Sequence, residues 1–597
     1  MLSTSSYSKA IVQDNFKRNW SIPVMGFIAY GLVGLMPVLT SYRSFKNIAA
    51  YAEGVMKGSG FLINSLIVII AIVTASAVFG YLHNQTSSNA MHAMPTDRSK
   101  LFVSAFVSGW VLMIIPLVVF GFSMLILRGA TTAAAIPQDE SYSGLLFGSA
   151  TSAKEIYTLP HVLGFILTGV INASYVFALA CLAAVLAGKK VIHELLAFFI
   201  LILPALIVTT VDSMMSEYLF GFSGLSVDYS WFGSPLAAMS KEDYSIQIWH
   251  SAYYLALTVA ILAASLWIYK KIKLERIGNS TTFPQVAEVL VTLLTVLLSI
   301  TFGNSFTLLT SASELEKPKL CAIATIVSSI LYYVIMRMIA DGGPSIFNKK
   351  NMLKYLPCLG ILIILMAFTA FDVTGFNTRI PAAEEVDSVH VETTFPRFLF
   401  STDEEFGDPK AIESLLELQQ AVIDDREIVP ADWYNSEDFT LVWKLKDGRQ
   451  ISRKYEARKA KEYKRTENAL KNLYNTASFK EKLRIDVDKD IAKCRGMKIY
   501  VNNLESYDED EAEISIKKED WKALLEAVNK DLAALSYEEV EDRSNFEIVE
   551  PEISIETTEQ SEEDRFLDGD MSGKTYTMRF DDKNTVEFLK SKGYLKK

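Results

Sequence analysis

Residues able to do acid–base, nucleophilic or metal chemistry are few in this chain, and they do not converge. Its six histidines are scattered, and His193-Glu194 lacks the second histidine four residues on that a zinc-hydrolase helix requires. The acidic run Asp508-Glu509-Asp510-Glu511 has no glycine-centred spacing of a calcium loop and reads as solvated surface. No Gly-x-x-x-x-Gly-Lys-Ser/Thr phosphate loop occurs, so any nucleotide hydrolysis tied to this protein belongs to another polypeptide. Four cysteines give no disulfide framework: Cys181, Cys321 and Cys358 lie in apolar stretches and Cys494 is alone. These patterns predict no enzyme, no metal and no cofactor in the chain itself. The informative residues are instead in a short polar loop, Tyr81 to Lys100, that ends in Met94-Pro95-Thr96-Asp97-Arg98-Ser99-Lys100-Leu101-Phe102. Pro95 fixes φ and ends one element, Thr96 and Asp97 are suited to cap the next, and Arg98 and Lys100 stand where a membrane helix leaves the cytoplasmic face.

The elements that must position this loop are apolar helices. Nine stretches approach the roughly 20 residues needed to span a bilayer. They run near Ile22–Thr40, Phe61–Leu82, Leu101–Leu127, Val162–Leu186, Leu195–Leu219, Ile248–Tyr269, Val286–Leu309, Leu320–Ile339 and Tyr355–Phe371. With the N-terminus in the cytoplasm, inside segments collect about 15 Lys and Arg and outside loops about 8, as the positive-inside rule requires. Nine spans then place the C-terminal region outside. The polar first 20 or so residues lack a small-residue cleavage site behind a short apolar core, so the first span is expected to remain as an anchor.

The net charge of −11 is unevenly divided. From Arg379 onward there are about 35 basic and 51 acidic residues, about −16 in all, which leaves about +5 for the membrane part. An acidic soluble region with basic residues confined to membrane edges argues against nucleic acid as a partner. Within that region Asp408-Pro409 opens a helix with Ile412, Leu415, Leu416, Val422 and Ile423 on one face. Leu441, Trp443 and Leu445 alternate with Thr440, Val442 and Lys444, and Asp447-Gly448 turns the chain into Ile451–Tyr455 as a hairpin. A second helix carries Trp521, Leu524, Leu525, Val528 and Leu532, followed by a strand at Tyr576–Phe580 and a short helix ending near Gly593. The order predicts an α+β domain with a repeated strand-and-helix unit.

Polar residues within spans are costly in lipid and face a bundle interior or a cavity. Asn64, Asn172, Ser174 and Asp212 are the candidates for a translocation path, with Asn304 a further intramembrane polar group; Asn and Ser commonly tie helices together instead. Ahead of the first span, Val12, Phe16 and Trp20 recur every four residues, the pattern of an interfacial helix or of a plain lead-in to the span. Between the fifth and sixth spans, Phe220, Phe222, Tyr229, Trp231 and Phe232 crowd before Ser234-Pro235-Leu236, an interfacial aromatic belt.

Four of these features resemble ABC-2-type transporter permeases of Gram-positive bacteria that carry a C-terminal domain outside the membrane. They are the lead-in ending Lys17-Arg18-Asn19-Trp20, the loop ending Pro-x-x-Arg-x-x-Leu-Phe, the connection with Ser234-Pro235, and the hairpin stretch Trp443 to Arg449. The chain departs from the commoner family form, which has an aliphatic residue and then Ser or Thr where Thr96 and Asp97 stand. The resemblance implies a polytopic α-helical membrane protein of about nine spans: an amphipathic interfacial helix over 1–20, a six-span permease core over 21–280, three additional transmembrane helices over 281–376, and an extracytoplasmic α+β domain over 377–597. It makes His92, Pro95, Thr96, Asp97 and Arg98 the contact with cytoplasmic ABC ATPase subunits, which bind the ATP and Mg, and it turns the Phe220–Leu236 connection into a re-entrant hairpin. It further implies a homodimer or heterodimer with a second permease in the bacterial plasma membrane, in contact with membrane lipid, exporting or extracting a hydrophobic or peptide-like compound such as an antimicrobial. The competing expectation is a surface sensor or scaffold whose outer domain binds a peptide or envelope ligand.

Overall fold

A computed structural model describes residues 7–37, 39, 61–131, 158–225, 248–310, 317–341, 343, 349–394, 401–426, 436–458, 463–482, 485, 487–494, 496–502, 514–539, 552–558 and 575–595. The chain forms two compact units. One comprises Met1–Met214, Leu225–Ser311 and Lys319–Met366; the other comprises Met215–Gly224, Ala312–Pro318 and Ala367–Lys597.

The first unit is helical. Its helices are α1 (Lys9–Arg18), α2 (Ser21–Tyr30, continued by a π-helical turn at Gly31–Leu35), α3 (Phe61–Val78), α4 (Gln85–His92), α5 (Arg98–Thr131), α6 (Leu159–Leu186), α7 (Lys190–Tyr218), α8 (Ile248–Lys270), α9 (Pro284–Leu308), α10 (Lys317–Asp341) and α11 (Leu356–Ala370). Among the described residues seven helical segments are long and apolar enough to cross a membrane, and Ser21–Leu35 and Leu62–Val78 are shorter apolar helices. This is the architecture of a multi-pass helical membrane protein. α6 is the central helix, packed against α3, α5 and α8. Lipid supplies no hydrophobic drive between such helices, so small residues set how closely they approach. At Gly303 a Cβ would lie 2.0 Å from Thr325 Oγ1, so α9 and α10 meet almost backbone to backbone there.

α1 is fastened to α5 by polar groups: Asn15 is buried and its Nδ2 donates to Ser108 Oγ at 2.9 Å, and the Ser8 amide donates to Ser104 Oγ at 2.8 Å. Val12 and Phe16 are half-buried, and Trp20, just past the helix, is 64% exposed.

The C-terminal unit is α+β and built twice. β1 (Val386–Thr394), β2 (Ser401–Phe406), α12 (Pro409–Asp425), β3 (Ser436–Leu445), β4 (Gln450–Arg458) and α13 (Lys464–Tyr474) form the first repeat. β5 (Gly496–Asn502), β6 (Ile514–Ser515), α14 (Trp521–Ala534), β7 (Glu552–Thr558), β8 (Thr575–Arg579) and α15 (Lys583–Lys592) form the second. Both sheets are antiparallel, with order β2-β1-β3-β4 and β6-β5-β7-β8. Each repeat buries its own apolar core beneath its helix pair, with Leu441, Trp443 and Leu415 in the first and Ile499, Ile555 and Leu524 in the second. The helix pairs are fastened by the same device. Asp425 Oδ2 accepts from the Thr466 amide and hydroxyl, both at 3.0 Å, and Asp531 Oδ2 accepts from the Thr585 amide and hydroxyl, both at 2.7 Å. Each threonine is the third residue of its helix, where an amide has no partner inside the helix. Trp443 Nε1 donates to Gln419 Oε1, and Gln419 Nε2 to Tyr455 Oη, each at 2.9 Å, so the buried indole and amide of the first core are satisfied.

Candidate functional site

The loop between α3 and α5 folds into a compact corner. Asn84 caps α4, its Oδ1 accepting from the amides of Thr86 and Ser87 at 2.9 and 3.2 Å. After His92 the chain turns at Met94-Pro95-Thr96, with the Thr96 amide donating to Met94 O at 2.7 Å, and α5 starts at Arg98. The break between the two helices is the five residues Ala93–Asp97, with Pro95 at its centre and Asp97 just ahead of α5, as their backbone preferences dictate.

Arg98 reaches across to the C-terminal end of α8. Its Nη1 donates to Lys270 O at 3.1 Å and to Ile272 O at 3.0 Å. Those carbonyls lie at and just beyond the negative end of the α8 dipole, where a guanidinium is favourable. Bonds to a charged donor are worth about 1.5–3 kcal/mol each, so this tie outweighs the unfavourable placement of a cation at the first turn of α5. Beside it runs a hydrogen-bonded chain. Ser88 O can only accept, so His92 Nδ1, 2.8 Å away, carries a proton; His92 Nε2 lies 3.1 Å from Tyr269 Oη, which lies 3.1 Å from Tyr81 Oη. Leu101 and Phe102 are buried, and Phe102 packs on Phe79 and Tyr269 with ring centres 5.3 and 5.6 Å apart.

A second buried pair holds the turn after α3. His193 Nε2 lies 2.9 Å from Ala180 O and must donate to it, and His193 Nδ1 lies 3.2 Å from His83 Nε2. Burial, reinforced by the neighbouring His193, pulls the His83 imidazole down to about 3, so the ring is neutral at physiological pH. Ser76 Oγ donates to Glu194 Oε1 at 2.8 Å, tying α3 to α7. The connections at Ala187–Lys189 and Lys271–Phe283 close over the same end of the bundle: Ala187 bridges Thr281, and Thr282 Oγ1 donates to Leu186 O at 2.8 Å. Basic residues accompany them at Lys189, Lys190, Lys271, Lys273 and Arg276.

The five loop residues expected to contact a partner therefore divide. His92 and Arg98 are spent within the fold and position the corner. Thr96 is half-buried, with Oγ1 unpartnered among the described residues. Pro95 and Asp97 are exposed, and so is Met94 at 43%, which the motif alone did not single out. The polar intramembrane residues sit on several helices. Asn64 is buried in α3; Asn172 is buried in α6; Ser174 accepts from Trp110 Nε1 at 2.8 Å and so joins α6 to α5. Asp212 Oδ1 accepts from the Leu225 amide at 2.8 Å and shapes the exit from α7. Asn304 links α9 to Ser213 of α7 at 2.7 Å and accepts from Cys321 of α10 at 2.9 Å. Cys494 is buried, with its thiol donating to Gly496 O at 3.0 Å. The connection carrying Tyr229, Trp231, Phe232 and Ser234-Pro235-Leu236 and the Asp508–Glu511 run lie outside the described residues. Among the described residues no group of three His, Cys, Asp or Glu side chains gathers as a metal site would.

No family model matches this chain, and neither a curated protein nor a solved structure matches it.

Proposed function

We propose that this chain is the membrane subunit of an ATP-driven exporter, with the α4–α5 corner as the seat of a separate cytoplasmic ATPase. The observation that carries this reading is the division of labour in the loop. Arg98, His92, Leu101 and Phe102 lock the corner onto α3 and α8, while Met94, Pro95 and Asp97 stand exposed at its tip. A rigid tip tied by side chains to two helices converts a push into helix displacement, which is what coupling to a closing ATPase requires. In this reading the seven long helices and the two shorter apolar ones are nine spans, the N-terminus is cytoplasmic, and the C-terminal unit is outside. The first six spans form the transport core, and two cores, from two copies or from a second permease, enclose the path for a hydrophobic or peptide-like cargo.

The test is Asp97→Lys in the full-length protein, purified in mild detergent from its native membrane. Asp97 makes no ion pair among the described residues, so the variant should melt as the parent does while the co-purifying ATPase is lost at least tenfold. ATPase recovery equal to the parent's would overturn the coupling role.

A further inference from the structure

Three stretches far apart in sequence meet at one edge of the first repeat. The first is Met215–Gly224, the last turn of α7 and the residues that follow it, which belong to the C-terminal unit. The second is the exit from α11, where Asp372 sits at φ +43 and its carboxylate accepts from the amides of Phe376 and Asn377 at 2.7 and 2.8 Å. A non-glycine residue in that left-handed region is held there by its surroundings, here by the turn its own side chain builds. The third is β4, an edge strand.

The turn at Asp372 presents two groups to the α7 segment. Asn377 Oδ1 accepts from the Phe220 amide at 2.8 Å, Phe376 meets Phe222 with ring centres 6.1 Å apart, and the Arg453 guanidinium lies over the Phe376 ring, 3.7 Å from its centre. Phe220 packs into the first repeat's core against Tyr455, with centres 5.5 Å apart. Gly221 O accepts from the Lys454 amide at 3.2 Å, so the segment occupies a donor on the outer edge of the sheet that water or another strand would otherwise take. Gly221 has φ +78, and a Cβ there would fall 2.4 Å from the Tyr455 ring; only glycine permits this approach. Tyr218 Oη adds a bond to Pro318 O at 3.3 Å.

We infer that the first repeat clamps the end of α7 through the Phe220–Phe222 tongue, so that the last turn of α7 and the edge strand β4 move as one mechanical element. The inference rests on the C-terminal unit alone and stands whether or not the chain is an exporter.

Hydrogen exchange of the full-length protein in detergent tests it. Gly221→Ala should raise exchange of the Lys454 amide at least tenfold and, with it, exchange of the Leu219 amide, which bonds Met215 O in the last turn of α7; amides of β5 and β7 should stay unchanged. If the β5 and β7 amides also speed up, Phe220→Leu, which keeps the backbone conformation, replaces it with the same expectation. Faster exchange at Lys454 with Leu219 unchanged, or no change at either, would refute the clamp.

Discussion

Two helix ends in the first unit hold an arginine by hydrogen bonds, Arg337 buried and Arg98 half-buried, and they satisfy it in opposite ways. Where α9, α10 and α11 meet, Arg337 donates to Glu288 at 2.7 Å and to Asp341 at 2.9 Å, Lys354 also pairs with Glu288, and Asn351 completes Asp341 at 3.1 Å. Two cations and two carboxylates cancel, and the network is closed on itself. At the α4–α5 corner Arg98 is given entirely to neutral backbone carbonyls, and the acid beside it, Asp97, is left at the surface together with Met94 and Pro95. A closed ion network needs nothing from outside. The corner keeps an uncompensated charge and an apolar tip, and that difference is why it, and not the α9–α11 junction, is the surface to probe for a partner.

The contrast can be broken first at Arg337. Arg337→Ala leaves Glu288 and Asp341 without their main counter-charge, and because both carboxylates are about a third exposed the loss should sit at the lower end of the range for a broken buried pair, about 3 kcal/mol, read as a fall in melting temperature in detergent. A variant that melts like the parent would mean the network is ornamental. Arg98→Ala should cost less, about 1–3 kcal/mol, because carbonyls released from the guanidinium at a helix end find water. Arg98→Lys should recover part of that loss, since an ammonium keeps the charge but not the geometry; full recovery would show that charge alone holds the corner. The smallest effect is in the pH response. His83 titrates near 3 in the fold and near 6.5 in the open chain, so the unfolded state binds the extra proton and stability should decline as pH falls from about 6.5 toward 3. His83→Gln should flatten that slope between pH 6.5 and 5, and an identical slope in parent and variant would place the titrating group elsewhere.

Much of the local architecture follows from neighbouring residues. Asp408-Pro409 starts α12 as its capping chemistry requires, with Asp408 Oδ2 accepting from the Ala411 amide at 3.2 Å, and Asp447-Gly448 turns β3 into β4. The alternation of Leu441, Trp443 and Leu445 puts all three in the core. β1 and β7 also alternate, with Val389 and Val391 and with Ile553 and Ile555 in the cores, but their few apolar positions are set among Asp, Glu, Ser and Thr, so the pattern is faint without the pairing to β3 and β5. At the corner, the motif located the turn but not the duties of its members. Arg98 finds its acceptors 172 and 174 positions away, and no local pattern encodes that. The same holds for α1, whose ties to Ser104 and Ser108 of α5 join positions more than 90 residues apart.

The paired aspartate–threonine fastenings have a consequence for how the C-terminal region comes apart. Each one closes a helix pair over a separate core, and the cores are joined where α14 ends: Leu532 borders both, Leu535 is buried in the first core, Tyr474 Oη donates to Leu535 O at 2.9 Å, and the Tyr474 and Tyr537 rings meet with centres 6.1 Å apart. Loosening α14 would therefore strip apolar contacts from both cores at once. The block that grips the tongue is the one with the satisfied Trp443–Gln419–Tyr455 interior, so a disturbance of α14 is felt at the tongue through that first core.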